Sequence, residues 1–293
     1  MSAERPPAAE DWTVRRVLDW TIGYLREQGS DSPRLEAEIL LAHARGCPRI
    51  RLYTDYNELL SDEERTTMRG YVKRRAAAEP VAYIVGHREF FSLDFLVTRD
   101  VLIPRPETES LVMRGIDVAK PMAAPRILDV CTGSGCVAIA LAANLPRARV
   151  TAIDVSPEAL AIAARNVERH QFEERVTLLE GDLLAPVQGE QPFDLIVSNP
   201  PYVASAEIET LAPDVARHEP RLALDGGADG FDYIRRLSAE SMPLLVSGGW
   251  LMFELSPEQA GTAREILVAD GYEAVEVIAD LSGQPRIAAG RRA

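Results

Sequence analysis

The spacing of apolar residues changes near residue 80. Over residues 11–28, Val14, Leu18, Ile22 and Leu25 recur three or four positions apart, the spacing of one helical face. Ser32-Pro33 reads as an N-cap followed by proline at the first helical position. Leu35, Ile39 and Ala42 continue that helix, and Gly46 closes it. Ser61-Asp62-Glu63-Glu64 has the form of a capping box and opens a helix to about Ala78, stopped by Pro80. Residues 1–82 are therefore expected to form a small all-α domain. Periodicity leaves its role open between a structural appendage and a substrate clamp.

Beyond it the pattern is extended, then alternating. Residues 89–98, E-F-F-S-L-D-F-L-V-T, predict a hairpin. Residues 103–109, I-P-R-P-E-T-E, predict a rigid loop leading into a helix near Glu109, because each proline fixes its own φ and restricts its predecessor. Strand-like runs then occupy 126–130, 149–155, 175–182, 193–198, 249–255 and 272–280. Helix-like runs occupy 136–144, 157–170, 231–246 and 257–270, and 286–292 offers a last strand. Continuous apolar strands alternating with helices predict an α/β domain over 83–293, with a parallel sheet covered on both faces.

Composition narrows the function. A formal charge of −13 on 293 residues argues against generic binding to a phosphate backbone, which rests on Lys and Arg. Cys47, Cys131 and Cys136 are odd in number and lack CxxC spacing, so neither a disulfide framework nor a zinc site is expected, and reduced thiols suit a cytoplasmic protein. His43, His87, His170 and His218 show no ligand spacing, so no metal is expected. The first ten residues lack the apolar core of a signal peptide, and no apolar run approaches a membrane span.

Ligands of open α/β sheets gather at the carboxyl ends of the strands. Asp129-Val130-Cys131-Thr132-Gly133-Ser134-Gly135 lies at such an end, where glycines permit a tight turn and close approach to a ligand. Asp154 ends the second strand, where a carboxylate can accept ribose hydroxyls. Asp182 ends the third, where it or its backbone can meet an adenine edge. G-S-G-C-V-A also fits the loose dinucleotide pattern, so NAD is the rival cofactor. Three acids would repel a pyrophosphate but favour an ammonium and a sulfonium, which points to S-adenosylmethionine.

Asn199-Pro200-Pro201-Tyr202 follows the fourth strand. Methylating a planar nitrogen requires acceptors on its N–H hydrogens. The Asn199 side-chain oxygen and the Pro200 carbonyl can serve, Pro201 stiffens Pro200, and Tyr202 can lay its ring on an amide or base. Asn199, Pro200 and Tyr202 are the candidate catalytic residues, and the same three with Pro201 are the candidate substrate site. Two other readings share these residues: an N6-adenine nucleic-acid methyltransferase, and a cofactor-binding scaffold without catalysis.

Together D-V-C-T-G-S-G, Asp154 and N-P-P-Y resemble class I (Rossmann-like) S-adenosylmethionine-dependent methyltransferases of planar nitrogens. More narrowly, H-R-E-F-F-S (87–92), I-P-R-P-E-T-E, H-E-P (218–220), D-G-G-A-D-G (225–230) and D-L-S-G-Q-P-R (280–286) resemble the HemK/PrmC family. That resemblance implies N5-methylation of the glutamine in the Gly-Gly-Gln loop of class I peptide-chain release factors. A sister activity on a ribosomal protein's glutamine is the alternative. It also implies a cofactor site of Cys131, Thr132, Gly133, Ser134, Gly135, Asp154, Asp182, Leu183 and Asn199, with Thr108 bordering the methionine end. The N-terminal helices resemble the family's substrate-docking domain, joined to the sheet by the short hairpin linker. Neither a membrane nor direct nucleic-acid binding is expected. Two departures stand out. Cys131 replaces a frequent glycine, so its backbone is expected to be one that tolerates a Cβ. Leu183 replaces an aromatic, so an aliphatic contact would stand in for stacking.

Overall fold

A computed structural model describes residues 12–293, so the Asp11 end of the first expected helix and the segment before it lie outside the described residues. The chain divides into two units, the first ending at Gly86 and the second running His87–Ala293.

The first unit contains α1 (Val14–Glu27), α2 (Pro33–Ala44), α3 (Arg51–Thr54), α4 (Asp62–Ala76) and α5 (Val81–Val85). Thr13 caps α1 by accepting from Arg16 N, and both bonds of the Ser61/Glu64 capping box are made. Gly46, at φ 61°, ends α2: its N–H reaches His43 O and that of Cys47 reaches Ala42 O, both 3.0–3.1 Å. The face of α2 differs from expectation. Ala42 is buried as expected, but Ala37, Leu40 and Leu41 form the rest of its core side, and Leu35 is 44% exposed. Glu38 lies within that buried stripe, bonded by Arg34, Arg49 and Tyr53, and a charged residue there hides the true period. Helices α3 and α5 are too short to carry a periodic signal.

The second unit opens with β1 (His87–Phe90) and β2 (Leu93–Leu96), an antiparallel hairpin two residues earlier than predicted. Its turn is Phe91-Ser92, both left-handed at φ 51° and 60°. That twist suits a two-residue hairpin, although Asn-Gly is its usual sequence. The Phe91 N–H donates to Glu109 Oε1 at 2.9 Å. The hairpin is tied to the sheet domain by Asn166, fully buried, which accepts from Leu96 N and donates to Leu96 O and Ser134 O at 2.8–3.0 Å.

The remaining elements are α6 (Glu109–Ala119), β3 (Arg126–Val130), α7 (Cys136–Asn144), β4 (Arg149–Asp154), α8 (Pro157–Arg169), β5 (Val176–Glu180), β6 (Phe193–Ser198), α9 (Pro213–His218), α10 (Asp232–Ser241), β7 (Leu245–Glu254), α11 (Ala260–Ala269), β8 (Glu273–Ala279) and β9 (Pro285–Arg291). The seven-stranded sheet has the order β5-β4-β3-β6-β7-β9-β8, parallel except for β9, which runs antiparallel to both its neighbours. Strand β3 therefore lies where the order reverses, and its carboxyl end opens a crevice between β4 and β6. Alternate residues of β3 enter two cores: Ile127 joins α6 and α7 on one face, while Leu128 and Val130 join α10 and α11 on the other.

The helix expected over 231–246 is shorter. It ends at Ser241, Met242–Leu244 form a 3-10 turn, and Leu245 already belongs to β7. Pro243 has no N–H to continue the helical ladder. Gly248, at φ 79°, lies within β7 near the irregularity in its pairing with β6, so the strand's apolar run starts late in the sequence.

Removing the Asn166 amide should strip three backbone groups, Leu96 N, Leu96 O and the buried Ser134 O, of their partner. Asn166→Ala is expected to cost roughly 2–4 kcal/mol, read as a lowered thermal midpoint. A midpoint unchanged within error would show that the hairpin is not anchored through this residue.

Candidate active site

The carboxyl ends of β3, β4 and β6 and the loop after β5 line one cleft in the second unit. At the end of β3, Asp129 is 1% exposed. Its Oδ2 accepts from Thr132 Oγ1 at 2.6 Å and from Ala138 N, in the first turn of α7, at 3.1 Å. Burial pushes its carboxyl up to about 7, and the neighbouring Asp154 charge adds to the rise. At the end of β4, Asp154 accepts from Gly133 N at 2.8 Å and from Ser156 N at 3.0 Å, and burial raises its pKa.

The loop between β3 and α7 carries three left-handed residues, Cys131 (φ 61°), Gly133 (φ 54°) and Gly135 (φ 80°). The expectation for Cys131 is thus corrected. It occupies the conformation that favours glycine, at a cost of about 1–2 kcal/mol for an L-residue. Its strand and the bond from Thr132 N to Ile153 O at 3.0 Å hold it there. Burial and the surrounding acids push its thiol up, so it stays protonated.

Cys131, Thr132, Gly133, Ser134, Asp154, Asp182, Leu183 and Asn199 all line the cleft, as do Thr108 and Pro201. Gly135 does not. It faces α8, where an added Cβ would sit 3.4 Å from Ala163 Cβ, so its absent side chain serves helix packing. Pro200 and Tyr202 are also not among the lining residues. Asp182 is half-exposed, and its carboxylate pairs with Arg236 through two bonds of 3.0–3.1 Å. Leu183 is buried at φ 48°, an aliphatic surface beside the acid.

The loop's donors decide between the two cofactors. Gly133 N and Ala138 N are the amides a dinucleotide loop would offer to a pyrophosphate. Here both already donate to carboxylates. An anion would meet Asp129 and Asp154, whereas a cation would relieve their mutual repulsion. The residues fit S-adenosylmethionine and not NAD.

After β6, Asn199 Nδ2 donates to Thr108 Oγ1 at 3.2 Å. Thr108 Oγ1 donates to Glu254 Oε2 at 2.6 Å, and the Tyr202 hydroxyl donates to Glu254 Oε1 at 3.2 Å. Asn199 Oδ1 and the Pro200 carbonyl take no hydrogen bond from any described residue. Both acceptors follow the end of β6 in sequence, and of the two residues Asn199 lines the cleft. The D-G-G-A-D-G segment braces this backbone. A Cβ on Gly226 would come 2.8 Å from Pro201 O, and one on Gly230 would come 2.4 Å from Tyr202 O. Gln259 Nε2 joins the two by donating to Tyr202 O and Gly230 O at 2.9 and 3.1 Å.

Three further residues escaped sequence reading. Arg105 of the proline loop donates to Glu219 at 2.6 Å, so two motifs 114 residues apart meet beside the cleft. Glu254, 1% exposed, ends β7 at the same edge as the other acids. An acid closing an apolar strand was the available signal for it, as it was for Asp129 and Asp154. Among the described residues no cluster of His, Cys, Asp and Glu could hold a metal ion.

The sequence and fold have known relatives. Residues 16–86 match the family model of the PrmC N-terminal domain, and residues 110–228 that of the methyltransferase small domain. The chain is similar to the release factor glutamine methyltransferase of Rhodopirellula baltica, 46% identical over 96% of this chain and 97% of that one. It is 48% identical to that of Geobacter sulfurreducens over 96% and 98% of the two chains. In fold, it resembles the crystal structure of a methyltransferase from Pyrococcus furiosus, with a TM-score of 0.53 and 22% identity over 75% of this chain and 98% of that one.

The raised Asp129 gives a pH prediction. Below about 7 the carboxyl is protonated and neutral; above it, ionised and complementary to a cationic cofactor. Affinity for S-adenosylmethionine should rise as pH climbs from 6 to 8, and calorimetric titration should find that dependence flattened in Asp129→Asn. Equal slopes in the two proteins would remove Asp129 from the account.

Proposed function

The chain belongs to the HemK/PrmC family of release factor glutamine methyltransferases, and on that premise we propose how its residues hold the reacting amide. The protein is an S-adenosylmethionine-dependent methyltransferase of release-factor glutamine. The acceptor is the side-chain nitrogen, N5, of the glutamine in the Gly-Gly-Gln loop of class I factors. Its two N–H groups donate to Asn199 Oδ1 and the Pro200 carbonyl. The observation that carries this reading is that both acceptors are free while the Asn199 nitrogen is already bonded.

An amide nitrogen is a poor nucleophile because its lone pair is delocalised into the carbonyl. S-adenosylmethionine supplies an electrophilic methyl on a sulfonium sulfur, in a site built from Thr132, Gly133, Ser134, Asp154, Asp182 and Leu183. Asn199 and Pro200 fix the amide plane by both hydrogens, which leaves the lone pair facing the donor. Pro201 fixes the Pro200 carbonyl, since a residue before proline is held extended. Tyr202 supplies an aromatic face to the amide plane. As the N–C bond forms, the nitrogen becomes strongly acidic. Its proton passes through the held hydrogen bond to water, so a neutral asparagine suffices where a stronger base would be needed for deprotonation first.

The helical N-terminal domain docks the release factor. A soluble translation factor as substrate supports a cytoplasmic setting, and no helix among the described residues is long and apolar enough to cross a membrane. The formal charge of −13 supports a protein substrate over nucleic acid.

Incubation with labelled S-adenosylmethionine and a class I release factor should place one methyl on the Gly-Gly-Gln glutamine, located by peptide mass spectrometry. Label found instead on a ribosomal protein or on nucleic acid would replace this reading. Asn199→Ala is expected to lower kcat by about ten- to a hundredfold, with cofactor affinity changed less than about threefold, because the lost contact is to the acceptor amide.

A further inference from the structure

We propose that Glu254 is a positioning residue: acting through Thr108, it sets the rotamer of the Asn199 amide so that oxygen rather than nitrogen meets the substrate. The proposal rests on the reading of Asn199 given above and explains why that reading works.

An asparagine amide is nearly symmetric in shape, and its two rotamers differ only in which end carries donors. In the wrong rotamer the Asn199 NH2 would face the substrate's NH2, donor against donor. Nothing in the Asn-Pro-Pro-Tyr segment itself removes that choice. The polarity comes from further away. An ionised carboxylate can only accept. Facing Glu254 Oε2 at 2.6 Å, the Thr108 hydroxyl must give its single proton to the acid. Its oxygen is then left with lone pairs toward Asn199, which can only be met by the amide nitrogen, 3.2 Å away. Asn199 Oδ1 is thereby turned outward. The second oxygen of Glu254 takes the Tyr202 hydroxyl, so the same acid also fixes the ring that ends the segment.

The geometry suits a relay. Glu254 lies at the end of β7, Asn199 just after β6, and Thr108 at the turn before α6, so three elements converge on one buried hydroxyl. Thr108 and Glu254 are both buried, which shields the chain of bonds from water that could scramble its direction. The charged and titratable groups around Glu254 are Arg286 on β9, Glu107 in the proline loop, Tyr202, and Cys136 on α7. Arg286 favours ionisation while burial and Glu107 oppose it, and the carboxyl is pushed up to about 6. Above that pH the acid is accept-only and the relay has one direction. Below it, the acid carries a proton of its own and can donate to Thr108, and the amide is free to turn.

The test compares wild type, Thr108→Val, Glu254→Gln and the double variant, at saturating S-adenosylmethionine so that Asp129 does not enter. Wild-type kcat should fall with one proton as pH drops through about 6. Thr108→Val should lower kcat about ten- to a hundredfold and abolish that acid limb, since Glu254 can no longer reach Asn199. Glu254→Gln, an amide with no acid limb of its own, should give a flat profile. The double variant should lose less than the product of the two single losses, because the part carried through Thr108 is lost only once and what remains is the Glu254 bond to Tyr202. A full acid limb in Thr108→Val, or additive losses, would overturn the relay. The chain contains four asparagines, Asn57, Asn144, Asn166 and Asn199. The Asn199 side-chain amide can therefore be followed by NMR in asparagine-labelled protein without substrate. Its N–H2 signals should shift in Thr108→Val, and unchanged signals would also overturn the proposal. That readout separates the two ideas: wild type that methylates no release factor refutes the proposed function, while the NMR result still judges the relay. Thermal midpoints of each variant establish that it is folded.

Discussion

Burying a carboxylate away from water is unfavourable, and the second unit does so at three points along the edge of one sheet. Asp129 is the penultimate residue of β3, and Asp154 and Glu254 end β4 and β7, parallel strands whose carboxyl ends converge by topology. Each is offset by N–H or O–H donors drawn from the loops that follow or cross it. Asp129 holds Thr132 and the start of α7, Asp154 holds Gly133 and Ser156, and Glu254 holds Thr108 and Tyr202. The loops are ordered because the acids need donors. The acids in turn remain mutually repulsive, as the effect of Asp154 on Asp129 shows. A cationic ligand removes part of that repulsion, which favours a positive cofactor over an anionic one.

The same edge concentrates unusual backbone. Cys131, Gly133 and Leu183 are left-handed within the cleft, and two of the three carry a Cβ. Such residues persist only where neighbours over-determine them. Thr132 is bonded at both N–H and hydroxyl, and Ser134 O is held by Asn166. The proposed substrate bracket uses the opposite device. Pro200 and Pro201 remove freedom from the backbone, and Gly226 and Gly230 let a second loop press against it without side chains between.

The alternation of strand and helix was legible because the parallel strands are buried on both faces and read as unbroken apolar runs. The start of β7 was not, because Leu245 and Val246 continue the helical spacing of α10 and only Pro243 marks the break. In the N-terminal unit, the capping box at Ser61 and the closure at Gly46 are local chemistry and were legible, whereas the inward face of α2 depends on Glu38 finding Arg34, Arg49 and Tyr53. The cofactor loop and Asn199 carry short signatures. Glu254 has only the general signal of an acid closing an apolar strand, since its partner Thr108 is 146 residues away. The backbone at Cys131 was misjudged for a related reason: side-chain size says little about φ when the flanking bonds are long-range.

These bond directions also explain why position 199 is asparagine and not aspartate, although a carboxylate is the stronger base. In the proposed mechanism the residue there has two obligations. It must donate to Thr108, whose proton is already committed to Glu254, and it must accept from the substrate amide. Aspartate in its ionised form has no donor, so it would set lone pairs against the Thr108 oxygen and add a fourth negative charge to an edge that already holds three. Its pKa would climb, and only below that pKa could the neutral acid both donate to Thr108 and accept from the substrate. Asparagine meets both demands at every pH without charge. The neutral side chain therefore follows from the buried acid behind it, and a mechanism in which nitrogen loses its proton after methylation is the one this polarity permits.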